Sequence, residues 1–174
     1  MSKPASSLRI EPASLQHQVA AFDCGKPSIN EHIRILLNEA DLDELSHVYT
    51  AVDTSNQILG FYTFSSANIE FEEIPSSFTN STETYPVSAI KIDVLAVDSS
   101  MQKKGLGARM LIDALQRIHN ASADIDIKVV MVEASTAQLR SFYLHYGFSP
   151  LTREETNLFL PIEKVTRLFD KTSR

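Results

Sequence analysis

Apolar and polar positions change period several times along this chain, and each change marks an element. Leu8-Arg9-Ile10-Glu11 alternates with a period of two before Pro12, the pattern of a short strand. Past the turn-rich stretch Phe22-Asp23-Cys24-Gly25-Lys26-Pro27, the period lengthens. Ile29, Ile33, Leu36, Leu37 and Ala40 fall on one helical stripe, and Ser28-x-x-Glu31 has the form of a capping box. His47 to Asp53 and Ile58 to Phe71 return to strand character, with Thr54-Ser55-Asn56-Gln57 as the hairpin turn between them. Glu72 to Pro86 is polar, holds Pro75 and Pro86, and reads as the longest loop.

Ala89 to Val97 has the pattern of a strand at the centre of a sheet. A turn from Asp98 leads to Gly107, and Leu106, Met110, Leu111, Ala114, Leu115 and Ile118 then form the inner stripe of a long helix. Lys128 to Glu133 is the next strand. Ser135-x-x-Gln138 opens a helix on which Leu139, Phe142, Tyr143 and Tyr146 share a face, and Gly147 supplies a left-handed stop. Asn157 to Leu160 forms a last strand. Strands first, then strand-helix-strand-helix-strand, predict an α/β (α+β mixed) fold: a mixed sheet flanked by helices in a single domain, residues 1–174.

Composition narrows the chemistry. The single cysteine, Cys24, excludes an intrachain disulfide framework and a cysteine-built zinc site, and has no obvious partner as a nucleophile. His17, His32, His47, His119 and His145 are scattered without metal-ligand spacing, so no metal is expected. No apolar run reaches the roughly 20 residues of a membrane span. The polar start, Met1 to Ser7, lacks the apolar stretch of a signal peptide. A cytoplasmic protein is therefore expected, and the Asn80-Ser81-Thr82 sequon is read as incidental. Twenty-two acidic against 16 basic residues give a net charge of −6, which argues against a general nucleic-acid binder.

Gln102-Lys103-Lys104-Gly105-Leu106-Gly107 carries the chemistry. It follows a strand and opens a helix whose free amides and positive dipole end suit a phosphate. Two glycines let backbone approach an anion, and Lys103 and Lys104 add charge. Neither a Walker loop nor a dinucleotide fingerprint is present, since Met110 replaces the third glycine.

Gln102-x-x-Gly105-x-Gly107 resembles the pyrophosphate loop of the GNAT superfamily of N-acetyltransferases, and Phe142-Tyr143-Leu144-His145-Tyr146-Gly147-Phe148 resembles its downstream signature. Phe22 to Ser28, Gly60-Phe61-Tyr62, Leu95-Ala96-Val97-Asp98 and Asn157 to Pro161 are similar to the toxin branch, whose members acetylate aminoacyl-tRNA. The resemblance implies a mostly antiparallel central sheet flanked by helices, with acetyl-CoA as cosubstrate and a primary amine attacking directly in a ternary complex. It implies cofactor contacts from Leu95, Ala96 and Val97, with the amides around Leu95 and Val97 pairing with the pantetheine arm as an oxyanion hole, and from Gln102, Lys103, Lys104, Gly105, Leu106, Gly107 and Ala108. Thr136 stands where many members place a cofactor-binding asparagine. Tyr143 is implied as the general acid for the departing thiolate.

The amine must lose a proton before attack. Asp93, on the strand face of Leu95 and Val97, and Glu133, at the end of the next strand, are candidate bases beside a water chain or direct delivery of neutral amine. Arg109 is either a phosphate contact or a solvated helix residue. Four carboxylates in Asn38 to Glu44 turn the substrate preference toward an amine other than tRNA. A tRNA-acetylating toxin with an antitoxin protein partner is the alternative, a homodimer gathering a composite basic patch. A catalytically silent acyl-CoA-binding module is the reading from another class.

Overall fold

A computed structural model describes residues 7–39, 42–76, 86–151 and 156–170. The elements are β1 (Arg9–Pro12), α1 (Pro27–Glu39), α2 (Leu42–Leu45), β2 (Val48–Val52), β3 (Ile58–Ile69), β4 (Val87–Val97), α3 (Leu106–Ala121), β5 (Val129–Glu133), α4 (Ala137–His145), β6 (Ser149–Pro150), β7 (Asn157–Pro161) and α5 (Ile162–Asp170). Strands hydrogen-bond in the order β1-β2-β3-β4-β5-β7-β6. The β1–β2, β2–β3, β5–β7 and β6–β7 pairs are antiparallel, while β4 and β5 pair parallel over Ala89–Ile92 and Val129–Val132. A parallel pair needs a crossover, which α3 supplies. This is the mixed, mostly antiparallel α+β architecture the sequence predicts.

The chain divides into two compact units, Met1–Phe64 with Val94–Ala114, and Ser65–Asp93 with Leu115–Arg174. In the first, the α1 stripe buries Ile33 and Leu37 against Val48, Val52, Ile58, Phe61 and Ala96. Phe22 meets Phe61 edge-on at 5.6 Å. Each fully buried side chain of this kind stabilises by about 1.5–3 kcal/mol. Asn30, off the apolar stripe, is also 93% buried (7% exposed). In the second unit Ile69, Ile74, Ala89, Val129, Leu151 and Phe159 form a core. Val130, Val132, Leu158 and Leu160 are buried too, which accounts for the nearly continuous apolar runs of β5 and β7.

Both capping boxes shift. α1 begins at Pro27, with Asn30 N donating to Lys26 O at 3.1 Å, so Ser28 lies inside the helix. Proline's fixed φ pre-forms the first helical position and sets the start. α4 is capped by Thr136, whose hydroxyl accepts from Leu139 N at 3.1 Å, and not by Ser135. Gly147 does stop α4, at φ 95°. Sequence reading missed α2, the two-residue β6 and α5. The last had a visible signal, since Ile162, Val165 and Phe169 repeat at helical spacing. β3 ends at Ile69, and Phe71–Glu73 forms a 3₁₀ turn at the start of the expected loop. Ala40, Asp41, most of the Glu72–Pro86 loop and its Asn80 sequon lie outside the described residues.

Candidate functional site

In the first unit β4 runs into the glycine-containing loop through a 3₁₀ turn, Ser99–Met101. Asp98 caps that turn: its Oδ2 accepts from Ser100 N at 3.0 Å and Ser100 Oγ at 2.6 Å. Lys103 and Gly105 follow at φ 62° and 88°. The left-handed region costs a non-glycine residue about 1–2 kcal/mol, so Gly105 is the residue type this turn demands. Lys103 must be held there by its surroundings. The first helical bond of α3 runs from Arg109 N to Gly105 O at 3.1 Å. The amides of Leu106, Gly107 and Ala108 therefore have no acceptor within the helix and lie at its positive end.

Space is open around these amides. A Cβ added at Gly105 would meet nothing within 4 Å; at Gly107 it would lie 3.8 Å from Val97 Cγ2 and 3.9 Å from Leu95 Cδ2. Leu95 and Val97 thus turn their side chains toward the first turn of α3. Ala96, of opposite parity, packs into the Phe22–Phe61 core. Lys103 and Lys104 are exposed, and neither has an ion pair among the described residues. Arg109 is tied down instead, donating from Nη2 to Leu8 O at 3.2 Å. Free amides, two unpaired lysines and an open approach fit a pyrophosphate.

The Gln102 side chain is engaged within the protein. Its Nε2 donates to Cys24 O at 3.0 Å and Val97 O at 2.9 Å, so both amide hydrogens brace the loop. Thr136 is engaged in part. Its oxygen caps α4, which leaves the hydroxyl hydrogen for any ligand.

The second unit holds Tyr143, Asp93, Glu133 and Thr136. Tyr143 is 5% exposed. Its ring meets Phe142 and Phe148 at 5.1 and 5.3 Å, steeply inclined to each. Its carbonyl accepts from Tyr146 N at 3.1 Å and Phe148 N at 3.2 Å, which fixes the end of α4. Burial pushes the phenol up to about 12. The hydroxyl has no hydrogen bond among the described residues, and no buried polar side-chain atom there lacks a partner, so its oxygen is not sealed from solvent. A phenol that keeps its proton at neutral pH, in an apolar wall with an open oxygen, can serve as a proton donor. Tyr146 caps α4 and packs on Phe142, a structural role.

Both candidate bases are engaged. Asp93 Oδ1 accepts from Ser65 Oγ at 2.9 Å, and Glu133 pairs with Lys91 at 3.6 Å. Both carboxylates are exposed. Among the described residues, no three His, Cys, Asp or Glu side chains gather as a metal site, and no helix is long and apolar enough to cross a membrane. Asp23, Asn30 and Asp98 were not singled out as functional residues by the sequence reading. The local signal for two of them is an aspartate bonding the amide two residues on, Asp23 to Gly25 and Asp98 to Ser100.

Residues 38–160 match the model of the acetyltransferase (GNAT) domain. The chain is 28% identical over 162 residues to a probable toxin TacT of Sinorhizobium fredii, covering 88% of this chain and 90% of that one. It is 27% identical over 160 residues to a tRNA-acetylating toxin of Mycobacterium tuberculosis, covering 92% and 93%. Among solved structures it is similar to AtaT complexed with acetyl-methionyl-tRNAfMet, at TM-score 0.85 and 27% identity over 93% of this chain and 99% of that one. It is also similar to a mutant AtaT toxin bound to the C-terminus of the antitoxin AtaR and acetyl-CoA, at TM-score 0.77 and 25% identity over 94% and 98%.

Proposed function

The chain belongs to the GNAT acetyltransferase family, and we propose that within it the chain is the toxin of a toxin–antitoxin pair. It moves the acetyl group of acetyl-CoA to the α-amino group of an aminoacyl-tRNA, in the cytoplasm, as one catalytic domain. The observation that carries this reading is the likeness, over nearly all of both chains, to AtaT complexed with acetyl-methionyl-tRNAfMet. An antitoxin partner follows by the same route.

Acetyl-CoA supplies an activated acyl group with a thiolate as leaving group. The amides of Leu106, Gly107 and Ala108, with Lys103 and Lys104, take its pyrophosphate. The amides around Leu95 and Val97 hold the pantetheine arm and stabilise the negative charge developing on the carbonyl oxygen. The neutral amine nitrogen bonds to the acetyl carbon, the carbon–sulfur bond breaks, and the Tyr143 phenol donates its proton to the departing sulfur; the proton released by the acylated nitrogen passes to water, and water returns a proton to the Tyr143 oxygen. Thr136 contributes its remaining hydroxyl hydrogen. An α-amino group titrates near 7.7–8.0 in model compounds, so roughly a tenth or more is neutral at pH 7. Such an acceptor needs no strong base, which fits the engagement of Asp93 and Glu133 with Ser65 and Lys91. Asp93→Asn and Glu133→Gln should therefore each lower turnover less than about fivefold, well under a general-base effect.

The net charge of −6 favours a second reading, an acetyltransferase for another primary amine. Purified enzyme, labelled acetyl-CoA and a pool of charged tRNAs separate the two, together with expression in bacteria lacking the antitoxin. Acetylated tRNA with growth arrest is the expected result. Turnover of a small or peptide amine, with tRNA untouched, would establish the second reading. No coenzyme A release with any amine would point to a silent module.

A further inference from the structure

Local preference alone does not shape the 102–107 loop. Lys103 and Gly105 both have left-handed backbone, and the stretch belongs to no strand or helix before Leu106. Something must hold it open for a ligand, and the Phe22–Ser28 turn is bonded to its base. Ser99 N and Ser99 Oγ both donate to Asp23 O at 2.8 Å, and Asp23 N donates to Asp98 Oδ1 at 2.9 Å. Gln102 reaches across to Cys24 O. The turn is braced in its own right. Asp23 Oδ1 accepts from Gly25 N and from Asn30 Nδ2, both at 2.9 Å, and Asn30 Oδ1 accepts from Cys24 N at 2.9 Å. Asn30 is buried on α1, where an amide is tolerated only when bonded on both sides.

We propose that Asp23 and Asn30 are positioning residues for the pyrophosphate of acetyl-CoA, acting through Asp98, Ser99 and Gln102 to hold the 102–107 loop in its binding shape. The proposal rests on the acetyl-CoA reading above. Neither side chain touches the ligand. Asn30 fixes the Asp23 carboxylate and the Cys24 peptide, and these present the two carbonyls that Ser99 and Gln102 need. A turn that served only to start α1 would require the bonds within residues 23–30 and none of those to Asp98, Ser99 and Gln102.

The test is acetyl-CoA binding by calorimetry on the full chain, with turnover at saturating acetyl-CoA. Asp23→Ala and Asn30→Ala should each weaken binding about tenfold, the scale of a lost bracing hydrogen bond. Turnover at saturation should stay within about twofold of wild type. Asp23→Asn keeps the acceptor oxygen and should restore near-normal binding. Asp23 is exposed, so its variants remain informative if Asn30→Ala fails to fold. Amide hydrogen exchange without ligand is the second measurement, and residues 102–107 should exchange faster in Asp23→Ala. Wild-type affinity in folded Asp23→Ala, or no rescue by Asp23→Asn, overturns the proposal. If wild type itself binds no acetyl-CoA, the acetyl-CoA reading fails, and the brace is decided by exchange alone: faster exchange supports it, unchanged exchange removes it.

Discussion

The loop at Gln102–Gly107 and the aromatic surroundings of Tyr143 solve opposite problems. At the loop the proposed binding groups are backbone amides, the surface is open, and bonds from Asp98, Ser99 and Gln102 to the distant Asp23–Cys24 backbone hold it in place. At Tyr143 the proposed reactive group is a side chain, its ring is buried among apolar neighbours with only the oxygen open, and those rings with the end of α4 hold it. A backbone-built site tolerates many side chains within it but depends on the residues that brace it. A side-chain-built site depends on one atom. Each therefore breaks differently.

The sharpest contrast comes from deleting that one atom. Tyr143→Phe keeps the ring and its packing, so turnover should fall about a hundredfold or more while acetyl-CoA affinity holds. Wild-type turnover on an accepted amine would remove Tyr143 as the acid. The loop should fail in the other parameter. Gly107→Leu must displace Leu95 and Val97 or crowd the open amides, and should cost at least about tenfold in acetyl-CoA affinity. Gly107→Ala, whose methyl makes only ordinary contacts, should stay within about threefold. Equal, unchanged affinities in both would move the pyrophosphate elsewhere.

Gly105→Ala probes conformation without crowding, because nothing lies near the added methyl. It should lower stability by about 1 kcal/mol, read from denaturant midpoints, and a neutral result would show that the left-handed turn is not required. The smallest effect concerns pH. The folded-state value for Tyr143, about 12, lies above the ordinary tyrosine value near 10. Its stabilising contribution is thus complete below about pH 10 and lost as pH rises toward 12, reaching about 1 kcal/mol at pH 11 relative to Tyr143→Phe. Parallel unfolding curves of the two proteins from pH 8 to 11 check the sign. A loss confined to the Phe variant would reverse it.

Much of this molecule was legible in one dimension. The stripes Ile29–Leu37 and Leu106–Ile118, the apolar strands β4, β5 and β7, the Gly147 stop and the position of the glycine loop all depend on neighbours within a few residues. Backbone periodicity and turn geometry express such preferences before any tertiary contact forms. The helix starts were misread by two residues at Ser28 and by one at Ser135, because capping depends on where the chain leaves its previous element. A candidate role was legible where residue type and motif together suggest the chemistry, as in the acid proposed at Tyr143. What tertiary structure alone decided is the partner of each polar group. Gln102 became a brace, Thr136 a cap, and Asp93 and Glu133 members of pairs. Asp23 and Asp98 are 75 positions apart, and Cys24 and Gln102 are 78 apart, yet each pair is joined by one hydrogen bond. No local period encodes such a bond, since it exists only after apolar burial has brought α1 and the end of β4 into one core.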